Sequence, residues 1–559
     1  MAGLTAKSPA SAPGADGVSS GRRAVDIRRF PWIRRLATDY AFDHARLADF
    51  FAGDPGDAKA WREAIARAST RRRQRPMLVE VLQAQQRRRD SPAEAMTSAA
   101  LLADPASVAI VTGQQAGLFG GPLFTLLKAL TALQLAERVR TDYHVPAVAV
   151  FWVDAEDHDW NEVKACGILD ANQTPRSVSL GDVPGAHAGP VARVQLNEAI
   201  VTALSDLQSM LPVTEFTPEL LEDLRRCYQP GAGMVDAFSR WLERVLGPRG
   251  LIVFDSSDPA AKPLASDVFT REIEHPGVTA QLASEAGAAL AARGYHAQVS
   301  PHDGSLALFH INAGREPITL TDGAFEVAGD TLSSDALIEQ VRHKPAAFSP
   351  NVLLRPIVQD TIFPTACYVA GPSELAYLAQ LRRVYDAFDV PMPLVQQRAT
   401  ATILDSNAMR FLSKHDLSLE TLRAQDESAL NELLITQLPA SVEAATQLAG
   451  ETIEQRMEAL AREVAQIDAT LEGAARSTLS RLQDDLKKLR AKIVQAAKRK
   501  DETLRRQFHH ARGQAFPGGQ PQEREIGFIT FLNKYGPALI DRLLEALPPE
   551  MGKHWVVTI

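Results

Sequence analysis

Nine consecutive positions carry the densest chemistry of the chain: Asp154, Glu156, Asp157, His158, Asp159 and Glu162 crowd together directly after an apolar run. So many carboxylates repel one another unless a cation, an ammonium group or an arginine sits among them. His158 stands between Asp157 and Asp159, and flanking carboxylates favour its protonated form. That suits proton transfer near neutral pH. Asp and His also suit a divalent ion, but the spacing matches no defined metal motif, so no metal ligands are assigned and a metal's part stays open. For Asp159 and Glu162 the plain alternative is a capped helix start.

A second group precedes it. Gly113, Gly117, Gly120 and Gly121 permit tight backbone turns, and Pro122 suits the first position of a helix. The helix that follows places Leu123, Leu126, Leu127, Leu130 and Leu133 on one stripe. Lys128 falls off that stripe, where it can meet a carboxylate or phosphate near the helix start. Amides at such a start attract anions. Neither a P-loop nor a dinucleotide fingerprint occurs, and a connection without a ligand is the bland alternative.

The third group runs from Arg355 through Asp360, Tyr368 and Gly371-Pro372 to Glu374 and Tyr377. Arg355 offers a planar fork for a carboxylate or phosphate. Glu374 equally suits a helix dipole. Arg398 is a fourth candidate, and Cys367 reads as core rather than nucleophile.

These groups need strand ends to hold them. Val108–Val111, Ala147–Val153, Leu251–Asp255, Ala366–Ala370 and Pro393–Val395 read as strands alternating with helices, which predicts an α/β core with a parallel, doubly wound sheet. Ligands of such sheets bind outside the carboxyl ends of the strands. The core is expected over about 25–405, opening with helices from Val25 to Thr97. Two insertions, about 165–247 and 272–342, interrupt it. The first carries short strands such as Val191–Leu196. The second carries His296–Val299, Leu306–Ile311 and Ile318–Leu320, with a turn at Asp303-Gly304 favouring a small antiparallel sheet. Over about 417–512, heptad spacing of Leu479, Leu482, Leu486, Leu489 and Ile493, with a slip of frame near Leu471–Gly473, predicts two long antiparallel helices projecting from the core. The tail, 513–559, turns apolar again and is expected to pack back on the core. Residues 1–24 are read as disordered.

Of 559 residues 45% are hydrophobic, enough for a large core, and the formal net charge of −8 argues against a duplex nucleic-acid binder. No apolar run approaches the ~20 residues of a membrane span. Three scattered cysteines support neither a disulfide framework nor a zinc site, and a reducing cytoplasm fits.

Taken in order, several stretches resemble the bacillithiol biosynthesis cysteine-adding enzyme family, BshC. They are Val111-Thr112-Gly113-Gln114-Gln115-Ala116-Gly117-Leu118-Phe119 with Lys128, Phe151-Trp152 with Glu156-Asp157-His158-Asp159, Arg355-Pro356 with Gln359-Asp360-Thr361, Gly371-Pro372 with Glu374, and Phe531-Leu532-Asn533-Lys534-Tyr535-Gly536. The resemblance implies a Rossmann-like core with connecting insertions and a coiled coil that makes a homodimer. It also implies the last step of bacillithiol assembly, an amide bond between L-cysteine and glucosaminyl malate. The chain departs from the family at Val153-Asp154, which puts a shared catalytic role for Asp154 in doubt.

Read against that reaction, His158 accepts the amine proton, and Asp157 or Asp159 holds the cysteine ammonium group. Arg355 binds malate carboxylates, Gln114 and Gln115 suit sugar hydroxyls, and Asp360, Tyr368, Glu374 and Arg398 complete the substrate side. Activation calls for ATP or another nucleotide, with Gly113, Gly117, Gly121 and Lys128 steadying phosphates. A nucleotidyltransferase-like enzyme of another pathway and a coiled-coil scaffold binding a small ligand are the competing readings.

Overall fold

The computed structural model describes residues 21–559 apart from 182, 184, 188, 302–303, 313, 437–439 and 501, with the side chains of 440 and 497–500 also outside the description. The disorder expected over 1–20 and the turn residue Asp303 therefore lie outside the described residues. The described chain falls into two compact units, one ending at Ile403 and resuming over Pro521–Ile559, the other spanning Leu404–Gln520.

Five parallel strands build the first unit's central sheet: β1 Val108–Gln114, β2 Ala147–Val153, β3 Ile252–Asp255, β4 Thr365–Ala370 and β5 Leu394–Gln397. Their order across the sheet is β5-β4-β1-β2-β3. The expected Rossmann-like α/β class is the class observed. The strands are apolar at nearly every position because both faces are covered. Ile110, Ala149, Phe151, Val253 and Val369 face one core, while Val111, Val150, Trp152, Ile252 and Tyr368 face the other. After β3 the chain returns past β1 to lay down β4 on the opposite side. The strand order therefore reverses between β1 and β4, and the carboxyl ends there open the crevice where ligands of such sheets bind.

Helix α1, Leu123–Tyr143, connects β1 to β2. Leucine spacing predicts one apolar stripe, yet Thr125, Lys128, Ala129 and Thr131 are buried as well. The reason is the tail: helices Gln522–Glu525, Phe528–Tyr535 and Leu539–Ala546 all touch α1, so it is covered on the side away from the sheet. Phe528 stacks on Trp241 at 6.2 Å between ring centroids. The last strand, Lys553–Thr558, pairs antiparallel with Arg22–Asp26. Arg22–Asp26 thus corrects the expectations of disorder up to residue 24 and of helix from Val25. The apolar Val25 is buried, and the strand's edge is satisfied by the tail.

Two further strand expectations fail. Val191–Arg193 is a 3-10 turn in which the Val191 and Ala192 amides donate to the carbonyls of Asp157 and Ala155, with an isolated bridge from Gln195 to Gly233. His296–Val299 forms no strand, and the amides of Gln298 and Val299 are taken by the Gln380 side chain. In both places a partner from elsewhere in the fold replaces a neighbouring strand. Strands Ser305–Ile311, Arg315–Thr321, Ala324–Val327 and Asp330–Leu332 do form an antiparallel sheet, completed by Phe348–Pro350 beyond the expected limit of the insertion.

In the second unit, α2 Ala440–Val464 and α3 Thr470–Lys500 pack together. Glu443 pairs with Arg490 at 2.7 Å, and Gly450 faces Leu486, so the helices run antiparallel. The reversal lies over 465–469, just before the frame slip at Leu471–Gly473. Among the described residues no helix is long and apolar enough to cross a membrane.

Candidate active site

Lys128 and Glu374 meet where the strand order reverses. Glu374 follows β4 through Gly371-Pro372, and Lys128 is one turn into α1 after β1. Their Nζ and Oε2 atoms are 2.5 Å apart, with the lysine side chain almost wholly buried. Lys128 also donates to the Gly113 carbonyl at 2.7 Å and to Gln114 Oε1 at 3.1 Å. Glu374 accepts from the Gly371 amide at 2.5 Å, from the Tyr368 hydroxyl at 3.1 Å and from the Tyr377 hydroxyl at 3.5 Å. Burial pushes the Glu374 carboxyl up, but Lys128 and the Gly371 amide outweigh it and hold the group below the usual carboxylate range. Burial lowers Lys128, and Glu374 opposes that. The pair is an ionised hub whose acceptor sites are filled by protein, so it holds the crevice's shape.

Arg355 opens the helix Arg355–Ile362 and continues the network. Its Nη2 donates to the Tyr377 hydroxyl at 3.0 Å and its Nη1 to Gln359 Oε1 at 3.3 Å. Its Nε lies 3.8 Å from Asp154 Oδ2 at the end of β2. Burial pushes the Tyr368 and Tyr377 hydroxyls up, so both keep their protons and orient the charged groups. Gln359 donates to Asp360 Oδ1 at 2.9 Å, and Tyr385 donates to Asp360 Oδ2 at 2.5 Å. Asp360 is buried and braces the Arg355 helix from behind.

The acidic loop lies beside this network. Gln115 donates to Asp157 Oδ2 at 2.5 Å and to Glu162 Oε2 at 2.6 Å, tying the turn after β1 to the loop after β2. Asp157 Oδ1 accepts from the amides of His158 and Asp159. Asp159 caps the short helix Trp160–Val163 through the amides of Asn161 and Glu162, the plain role weighed for it. The His158 imidazole is 71% exposed, with Nδ1 3.5 Å from Asp157 Oδ1.

Glu156 turns inward instead, into a buried ion pair with Lys262, which also donates to the Phe348 carbonyl at 3.2 Å. Arg315, from the inserted antiparallel sheet, bears electrostatically on Glu156, Asp154 and Asp157. Lys262 and Arg315 were missed by sequence reasoning. Lys262 had a signal, since it follows β3 as the acidic loop follows β2. Arg315 had none, being an arginine at a hairpin in a region read only as an insertion.

Two expected contributors are engaged by the fold itself. Arg398 is held by Glu523 at 2.7 and 3.0 Å, with the Glu523 carboxylate also accepting the Ala401 amide. That buried pair fastens the tail to the strand edge. The glycine turn is filled by packing. A side chain at Gly113 would strike the Trp152 carbonyl at 2.7 Å, and one at Gly117 would strike Gly121 at 2.9 Å. Gly121 adopts φ 73°, which favours glycine. The first amide of α1, Leu123, donates to the Ile526 carbonyl at 2.8 Å, and Thr125's amide returns to Pro122 at 2.9 Å. The residues thus do not fit the phosphate cradle anticipated at this helix start. Among the described residues no group of three or more His, Cys, Asp or Glu side chains is placed to hold a metal ion.

Comparison with known proteins agrees with this architecture. The family described as "Bacillithiol biosynthesis BshC, N-terminal Rossmann-like domain" matches residues 24–399, and "Bacillithiol biosynthesis BshC, C-terminal coiled-coil domain" matches 401–559. The chain is similar to a protein of Salinibacter ruber named "Putative cysteine ligase BshC", with 36% identity over 529 residues that cover 94% of this chain and 96% of the relative. A Chlorobaculum tepidum protein of the same name is 31% identical over 541 residues, covering 92% and 94%. One from Koribacter versatilis is 29% identical over 527 residues, covering 93% and 97%.

Proposed function

This chain belongs to the bacillithiol biosynthesis BshC family, and from that premise we propose that it is a cysteine ligase joining the carboxyl group of L-cysteine to the amine of glucosaminyl malate, the last step of bacillithiol assembly. The observation that carries the reading is the convergence of Arg355, braced by Tyr377 and Gln359, with the acidic loop at the carboxyl ends of β1, β2 and β4. One crevice thus offers a cation for carboxylates and carboxylates for an ammonium group, the two charges both substrates carry.

Arg355 takes a malate carboxylate through its N–H groups that face the loop. Asp157 holds the cysteine ammonium group, and Gln114, at the crevice edge, offers its amide to sugar hydroxyls, while Gln115, its N–H groups taken by Asp157 and Glu162, positions the acidic loop. His158 removes the proton as the acceptor amine attacks, and its exposure lets the ring swing toward the amine and release the proton to water. A free carboxylate does not form an amide in water, so ATP or another nucleotide would supply the activation, with phosphate or AMP departing as the amide bond forms. No step is assigned to the packed Gly113, Gly117 and Gly121 turn.

Incubating the full chain with L-cysteine, glucosaminyl malate and ATP, with mass spectrometry of the products, tests the reading. A new amide with loss of ATP supports it. ATP turnover without amide overturns it in favour of nucleotidyl transfer in another pathway.

The second unit supports a homodimer. Leu448, 63% exposed, and Leu489, 52% exposed, lie on α2 and α3, apolar surface that a second copy's coiled coil would bury.

A further inference from the structure

The carboxylate of Asp154 is acted on by two guanidinium groups from different parts of the chain. Arg355 Nε is 3.8 Å away, at the start of the Arg355–Ile362 helix. Arg315 attracts it from the inserted sheet. Neither arginine is saturated by the contacts it makes. Arg315 stacks on the Phe309 ring at 4.1 Å and donates through Nη2 to the Pro350 carbonyl at 2.8 Å. Its Nε is buried and has no hydrogen-bond partner among the described residues. A guanidinium carries five N–H donors, and an unmatched one away from water is costly. Asp154 does not relieve that cost: among the described residues no contact within ion-pair distance joins it to Arg315, and its side chain keeps 34% exposure against 11% for Arg355.

The placement of Arg315 follows from the inserted sheet. Arg315 pairs in register with Ile311, and Phe309 with both Pro317 and Ser349. Side chains two apart share a face, so Arg315, Phe309 and Ser349 lie on one face. Leu308, Ile318 and Phe348 lie on the other, in the core. The sheet is thereby anchored on one side and presents an arginine on the other. Ser349 Oγ, buried on the same face, also has no partner among the described residues.

We infer that Arg315 and Arg355 together form a seat for a dicarboxylate, and that Asp154 is its internal counter-ion in the free protein. A ligand with two carboxylates satisfies both guanidinium groups at once, whereas one carboxylate leaves one of them unmatched. The charges around Asp154 agree. Burial and Asp157 raise its carboxyl above the ordinary range, while Arg355, Arg315 and Lys128 oppose them. The inference rests on the ligase reading only in identifying the natural dicarboxylate as the malyl part of the acceptor.

Isothermal titration of the full chain with L-malate, and with lactate as a one-carboxylate control, tests it. Wild type should prefer malate. Arg315→Gln should weaken malate about tenfold to a hundredfold, the scale of one charge-assisted hydrogen bond, and change lactate little. Asp154→Asn, at a partly exposed position, should tighten malate several-fold by removing the competing charge. Unchanged malate binding in Arg315→Gln, or weaker binding in Asp154→Asn, overturns the seat. Failure of the ligase reading is separate: malate binding with no amide product overturns that reading and supports the seat. Amide formation by Arg315→Gln with an unaltered KM for glucosaminyl malate overturns the seat alone.

Discussion

Nζ of Lys128 and Oε2 of Glu374 stand 2.5 Å apart across the reversal point of the sheet, joining the helix after β1 to the turn after β4. The pair closes the floor of the crevice, because Glu374 also gathers Tyr368, Tyr377 and the Gly371 amide.

Breaking that pair from one side leaves an uncompensated buried charge. Lys128→Met should cost about 3 kcal/mol in urea unfolding. The double change Lys128→Met with Glu374→Gln should recover much of that loss, since both charges are gone. A Lys128→Met protein as stable as wild type would remove the pair from the fold's support.

Arg355 meets its partners through a planar fork that lysine lacks. Arg355→Lys should raise KM for glucosaminyl malate about tenfold to a hundredfold and alter kcat less, as expected for lost binding rather than lost chemistry. Steady-state kinetics in both substrates checks this.

His158 contributes almost nothing to packing, with its ring 71% exposed. His158→Gln should leave the melting temperature unchanged and lower kcat for amide formation about a hundredfold, the scale of a lost proton acceptor. An unaltered rate would take His158 out of the mechanism.

Glu272 sits outside the crevice and predicts a pH effect on stability. It is buried, accepting from the Thr279 hydroxyl at 2.5 Å and the Ala307 amide at 2.7 Å. Burial, against those two bonds, pushes its carboxyl up to about 7. A folded-state value above the unfolded one stabilises fully below the ordinary carboxylate range, and that stability is lost as pH rises through about 7. Glu272→Gln should therefore be more stable than wild type at pH 8, by on the order of 3 kcal/mol, and differ little at pH 4. Denaturant curves at the two pH values decide it.

In the second unit, Leu448→Glu with Leu489→Glu should leave helix content intact and convert a dimer to a monomer in analytical ultracentrifugation. A wild-type chain that sediments as a monomer would dismiss the homodimer.

What the amino-acid order determined by itself was the local pattern and its consequences. Runs such as Ala147–Val153, apolar at every position and alternating with helical patterns, read as strands covered on both faces, which sets the polar loops directly after them at one edge of a parallel sheet. That sufficed to bring Lys128, Arg355, Glu374 and the acidic loop under suspicion. Tertiary structure alone decided what each of them faces. The tail covers α1, so Lys128 is buried against Glu374 instead of lying open to phosphate, and the glycines after β1 serve close packing. Arg398 is held by Glu523, 125 positions away. Arg315 acts electrostatically on Asp154 because an inserted sheet is anchored by its other face. Contacts between residues this distant depend on strand order and on what covers each surface, and neither is written in the spacing of neighbours along the chain.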